Sequence, residues 1–136
     1  MRAKQICCPY CGSTAILKDT SFVHGKGVSG QVYVCSKYPA CDSYVGVKPG
    51  TKLPLGTLAN RELRQKRIQT HHIFDQLWKQ KIFTRSQAYL WASDRLGLPM
   101  QETHIGKFST YMCDQLAAES LKVLGNHHIP MRAAVG

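Results

Sequence analysis

Five of the six cysteines fall within the first 41 residues, at positions 7, 8, 11, 35 and 41, and their spacing constrains the fold of this region more than any other feature. Cys8-Pro-Tyr-Cys11 is a C-x-x-C step followed by Gly12, and its tight turn aims backbone N–H groups at the thiolates. A second, wider pair follows in Cys35-Ser-Lys-Tyr-Pro-Ala-Cys41, with five residues between its cysteines. Two such pairs brought together by a hairpin make a tetrahedral four-cysteine site, so Cys8, Cys11, Cys35 and Cys41 are expected to hold one zinc ion per chain. Cys7 could stand in for Cys8, but a Cys7–Cys11 pair loses the two-residue knuckle. The start of the chain, Met-Arg-Ala-Lys-Gln-Ile, has no apolar run of the kind a signal peptide needs. A cytoplasmic location is therefore expected, and with it metal ligation rather than a disulfide framework. A redox C-x-x-C opens a helix in a βαβ setting, whereas here Ala15-Ile16-Leu17 reads as a strand. Cys113 lies in an apolar pattern and reads as a buried thiol.

Between the pairs, Ala15–Lys18 and Gln31–Cys35 read as strands, joined through Val23–Gly30, whose three glycines predict a hairpin tip with little side-chain packing. A third strand is expected over Ser43–Val47. Three short strands bury little core, and the metal is expected to hold them.

Cys-Pro-Tyr-Cys-Gly together with Val-Cys-Ser-Lys-Tyr-Pro-Ala-Cys-Asp-Ser-Tyr-Val-Gly resembles the C-terminal zinc ribbons of bacterial type IA DNA topoisomerases, over residues 7–47. That resemblance implies contact with single-stranded DNA and carries none of the topoisomerase catalytic region. The whole chain also resembles a family of short zinc-finger-containing proteins of bacteriophages and prophages, in Gly56-Thr-Leu-Ala-Asn60, Ala88-Tyr-Leu-Trp91 and His104-Ile-Gly-Lys-Phe108. This second resemblance implies an architecture and no activity.

Past residue 48 the pattern changes. Lys48–Gly56 holds two prolines and two glycines and reads as a linker. Thr57 is a candidate N-cap for a helix from Leu58 to about Lys81, with Leu58, Leu63, Ile68, Phe74, Leu77 and Trp78 at helical spacing. Ser86 is expected to cap a second helix ending at Leu96, with Gly97 as its C-terminal stop. A third runs from about Ser109 to Leu124, with Phe108, Met112, Leu116, Leu121 and Leu124 inward. The expected architecture is α+β: a small N-terminal four-cysteine zinc ribbon of three short antiparallel strands packed on a C-terminal three-helix bundle, with Trp78 and Trp91 as large core residues. The expected divisions are 1–48 for the ribbon, 49–56 for the linker, 57–126 for the helical domain and 127–136 for a flexible tail.

Charge points to a partner. Eighteen Lys and Arg against eight Asp and Glu give +10, of which residues 1–56 and 57–100 each carry +5, while 101–136 is neutral. An excess gathered in two-thirds of the chain suits a polyanion surface. In the ribbon, Lys18, His24, Lys26 and Lys37 are candidate phosphate contacts, and Tyr38, inside the wide knuckle, is the candidate for stacking on a base. Tyr33 and Tyr44, on strands, can equally cover the small core. In the first helix, Arg61, Arg64 and Arg67 at i, i+3 and i+6, with Lys66, would extend the basic track, or form a solvated face with an internal Glu62–Lys66 pair. No nucleotide-binding, hydrolase or zinc-protease motif occurs, and the carboxylates form no acidic cluster suited to two-metal chemistry. No enzyme activity is expected. No apolar stretch approaches the ~18 residues of a membrane span. Two functions follow: a zinc-dependent module for nucleic acid, single-stranded DNA above all, or a small phage-type inhibitor or adaptor that docks on a host protein through its ribbon.

Overall fold

A computed structural model describes residues 5–27 and 29–129. Its elements run β1 (Ala15–Asp19), α1 (Ser21–His24), β2 (Gln31–Cys35), β3 (Tyr44–Gly46), α2 (Arg61–Lys79), α3 (Arg85–Leu96) and α4 (Thr110–Asn126). Single 3-10 turns lie at Met100–Glu102 and Ile105–Lys107. Three antiparallel strands followed by helices make this an α+β chain, as its patterning predicts. The chain divides into two compact units at residue 64.

In the first unit the sheet order is β1-β2-β3, with Ile16 opposite Val34, Lys18 opposite Val32, and Val34 opposite Tyr44. Paired residues share a face, so Ile16, Lys18, Val32, Val34 and Tyr44 lie on one side of the sheet. Ala15, Tyr33, Cys35 and Val45 lie on the other, in a core with Cys8, Leu58 and Ile6. The segment expected to be a linker adds to this sheet: Val47 bridges Pro54, Tyr44 bridges Ala59, and the Tyr33 hydroxyl donates to the Lys52 carbonyl at 2.7 Å. Its glycines and prolines shape a segment that folds back along the sheet edge, held by single bridges, rather than a free spacer.

The joint between β1 and β2 is also more than a glycine tip. The Asp19 carboxylate accepts from the Ser21 N–H at 2.9 Å and starts the helical turn α1, which Gly25 ends at φ +79°. Thr20, at the foot of this turn, is buried.

In the second unit, Ile73, Phe74 and Leu77 of α2, Ala88 and Ala92 of α3, and Cys113, Leu116 and Leu124 of α4 are buried, with Ile105 and Phe108 from the intervening turns. Helix α2 starts three residues later than its apolar pattern suggests. Asn60, not Thr57, accepts from the Leu63 N–H at 3.0 Å and sets the start. At α3 the cap is Thr84 rather than Ser86. Its hydroxyl accepts from the Gln87 N–H at 3.1 Å, and the Gln87 side chain accepts from the Thr84 N–H at 2.9 Å, closing a capping box. Gly97 ends α3 at φ +65°, as the sequence predicts, and α4 starts close to where it is expected, with the Ser109 hydroxyl as its cap.

Two packing expectations change. Ile68 is 69% exposed and Leu121 is also exposed. Trp78 and Trp91 are mostly covered, as expected, with the Trp78 Nε1 fully buried, but they border a core whose largest fully buried side chains are Phe74, Leu77, Leu116 and Leu124. At 100° per residue, Ile68 lies about 120° around α2 from Phe74 and so faces outward, while Trp78 lies about 40° past Phe74, on the flank of the buried stripe. Of the tail expected at 127–136, the part from residue 130 onward lies outside the described residues.

Candidate metal centre and aromatic face

The two knuckles form by local backbone chemistry. The Gly12 N–H donates to the Cys8 carbonyl at 2.9 Å and the Cys8 N–H to the Ser13 carbonyl at 2.7 Å, with Gly12 at φ +75°. That left-handed turn suits glycine, which has no Cβ to clash. In the second knuckle the Tyr38 N–H donates to the Cys35 carbonyl and the Cys41 N–H to the Lys37 carbonyl, which absorbs the extra residues into consecutive turns. The Lys37 N–H also points at the Cys35 sulfur, 3.4 Å away.

These turns bring the Sγ atoms of Cys8, Cys11, Cys35 and Cys41 within 4.8 Å of one another. Cys8 and Cys41 are separated by 3.6 Å, Cys11 and Cys35 by 3.4 Å. A tetrahedron with Zn–S bonds of about 2.3 Å has sulfur–sulfur edges of about 3.8 Å, so the donor set fits one zinc ion. Cys7 is exposed and lies outside the group, and Cys113 is a buried thiol in the second unit. Ser43, fully buried, sets its hydroxyl 3.0 Å from the Cys8 sulfur and 3.6 Å from that of Cys41.

The thiols differ in acidity because their surroundings differ. Hydrogen bonds from the Ser13 side chain and backbone hold exposed Cys11 down to about 6. Burial pushes Cys35 up to about 12. At Cys8 burial raises the value, but the hydrogen bond with Ser43 and the N–H groups of Cys11 and Tyr10 outweigh it, and the thiol sits below its usual range. A dication at the centre removes the conflict, because each sulfur then binds as thiolate.

The opposite face of the sheet carries a run of rings. Phe22 lies 5.6 Å from Tyr38, Tyr38 6.5 Å from Tyr44, and Tyr44 5.5 Å from His24, centroid to centroid. Lys18 places its ammonium 5.5 Å from the Phe22 ring, and the Arg64 guanidinium lies 3.9 Å over Tyr44. Phe22 is half exposed, and beside the rings a groove of about 410 Å³ opens between His24, Gly30, Tyr44, Gly46, Lys48 and Thr51. Lys18, His24 and Tyr38 thus meet on one surface, and Lys26 and Lys37 are exposed on the loops of this unit.

The basic helix reads differently from its sequence. Arg61 is exposed. Arg64 donates to the carbonyls of Asp42 at 2.6 Å and Ala59 at 2.7 Å, and its other nitrogen lies 3.6 Å from the Asp42 carboxylate. Lys66 pairs with Asp114 at 2.8 Å. Arg67 is only 9% exposed and its Nε donates to the Phe108 carbonyl at 3.0 Å. Steps of three residues drift about 60° around a helix, which carries Arg67 to within about 20° of Phe74 and into the packed side. A phosphate-tracking stripe along Arg61, Arg64 and Arg67 is not what this geometry presents.

Sequence reasoning missed Phe22, Ser43 and the stacking of Arg64 on Tyr44. The only signal for Phe22 was an aromatic residue in a segment otherwise rich in glycine and small polar side chains. For Ser43 it was a small hydroxyl two positions after a ligand.

Ribbon, sulfur cluster and sheet together define a zinc-binding protein with a four-cysteine ribbon. Residues 4–123 match the model of a zinc-finger-containing domain, and the chain belongs to that family. No curated protein and no solved structure is similar enough to the chain to count as a match. Among the described residues no helix is long and apolar enough to cross a membrane.

Proposed function

We propose that the ribbon is a nucleic-acid-binding module for single strands, single-stranded DNA in particular, and that the chain acts by binding rather than catalysis. The observation that carries this reading is the ring path Phe22–Tyr38–Tyr44–His24, edged by Lys18 and backed by the zinc site across the sheet. Bases stack on aromatic faces without regard to sequence, and each such stack contributes about 1–3 kcal/mol. Lys18 and His24 lie beside the rings, Lys26 and Lys37 add exposed cations to the same unit, and the net +10 charge favours approach to a polyanion. Zinc positions Tyr38 directly, because that residue lies between two ligands. Arg61 remains an exposed cation, with its backbone N–H, not its guanidinium, donating to the Asp42 carboxylate at 3.2 Å.

Fluorescence anisotropy with labelled single-stranded DNA, duplex DNA and RNA tests the reading. Single strands are expected to bind at low salt and more tightly than duplex. No binding to any of the three contradicts it.

A second reading, docking on a host protein, is favoured by a different surface. Leu53 and Leu55 are 62% and 59% exposed, and Leu53 borders an apolar groove of about 670 Å³ with Ile6, Pro9, Pro54 and Leu58. Absence of nucleic-acid binding would turn attention to that groove.

A further inference from the structure

The turn between α2 and α3 gathers positive charge around an indole. The Lys79 ammonium lies 5.7 Å and the Arg85 guanidinium 6.0 Å from the centroid of the Trp78 ring, and the same guanidinium lies 5.5 Å from the Tyr89 ring. Lys79, Lys81 and Arg85 are all exposed, and none makes an ion pair among the described residues. The C-terminal dipole of α2 accounts for Lys79, but Arg85 opens α3, whose first turn holds no acid and whose dipole disfavours a cation. Lys81 sits at φ +61°, a left-handed conformation that glycine adopts without strain and lysine does not. The fold thus carries like charges converging on one ring, a cation at the wrong end of a helix, and a lysine where glycine is more stable. An anion at this turn offsets all three costs.

We propose that Lys79, Lys81 and Arg85 form a second contact for the phosphates of a single-stranded nucleic acid, separate in sequence and in structural unit from the ribbon's ring path. This rests on the nucleic-acid reading of the ribbon and extends it. The Arg85 guanidinium lies near both the Trp78 and Tyr89 rings and makes no ion pair among the described residues, so its donors are available to phosphate oxygens, and a guanidinium held by two rings loses less freedom on binding.

Both tryptophans of the chain lie in the second unit, so indole emission reports on this turn and not on the ribbon. In a Trp91→Phe background, unlabelled oligothymidylate is titrated while Trp78 emission is followed, and a labelled strand gives the anisotropy in parallel. The emission is expected to change and to saturate at the same strand concentration as the anisotropy. Lys79→Ala with Arg85→Ala should abolish the emission change and make the log–log salt slope shallower by about 0.7 for each of the two phosphates no longer held. Lys81→Gly should raise the melting temperature and weaken binding, a pair of opposite effects that a purely structural lysine does not produce. An anisotropy rise with silent Trp78, a salt slope unmoved by the double substitution, or Lys81→Gly at full affinity each overturns this proposal and leaves the ribbon reading standing. No anisotropy rise at all overturns both.

Discussion

Residue by residue, the metal centre is governed by how each sulfur is solvated and bonded. Ser43 has no exposed surface and touches two of the four sulfurs. Replacing it with alanine keeps the ligands but removes the hydroxyl that orients Cys8, and losses of this kind behind the ligands weaken metal binding about 10- to 100-fold. Competition with a chromogenic chelator measures the drop. The acidities also set a pH dependence. Cys35, raised to about 12, is protonated at neutral pH before the metal arrives and must release its proton on binding. Cys11, at about 6, is already a thiolate at neutral pH and gains a proton only in acid. Whether the metal-free ribbon is folded, with Cys35 at about 12, or unfolded, with ordinary thiols, protons must leave on binding, so zinc affinity is expected to fall as pH falls from 8 to 6. A chelator titration across that range, in which affinity is flat with pH, contradicts this release of protons.

The ligand set was legible because metal coordination leaves a mark in sequence that depends on spacing alone. The aromatic face was only partly legible. Tyr38 stood out by lying between ligands, but the partners that complete the ring path come from α1 and β3, and only pairing across the sheet brings them together. No local pattern encodes a register.

Among the elements, the helices show where periodicity succeeds and where it misleads. The existence of α2, α3 and α4 followed from their apolar spacing, and the stop at Gly97 followed from turn chemistry. Rotation within α2 did not follow, because steps of three residues drift about 60° around the helix and the apolar series of steps of five and six fixes no single face. Arg67 ends on the packed side and Ile68 on the open one. Arg67→Ala is therefore expected to cost about 1.5–3 kcal/mol of stability, as a charged hydrogen bond to a buried carbonyl is lost, with no change in the salt slope of binding. Urea unfolding and the salt titration read the two effects separately. The capping box gives a cleaner case. Thr84→Ala removes the hydroxyl acceptor at the start of α3 and should destabilise the chain by about 1 kcal/mol in the same urea assay.

For the molecule as a whole, the division at residue 64 separates a unit that holds the four metal-ligand cysteines from one whose apolar core contains none of them. The first unit's buried hydrophobic cluster is small and includes two of the ligands, Cys8 and Cys35. The second buries Phe74, Leu77, Leu116 and Leu124 without any metal ligand. Cys35→Ser, or zinc removal by a chelator, is expected to unfold the ribbon while the helical circular dichroism signal and tryptophan emission persist. Loss of both signals together shows that the second unit does not stand without the first.

A zinc ribbon that presents its ring path to bases and its lysines to phosphates divides its binding energy between an uncharged part and a charged one. The salt dependence of single-strand affinity, taken for the native chain and for Tyr38→Ala, separates the two. Stacking carries no charge, so the substitution should cost about 1–3 kcal/mol at every salt concentration and leave the log–log slope unchanged. Equal affinities for the two proteins, or a slope that changes with Tyr38, would contradict this division of roles.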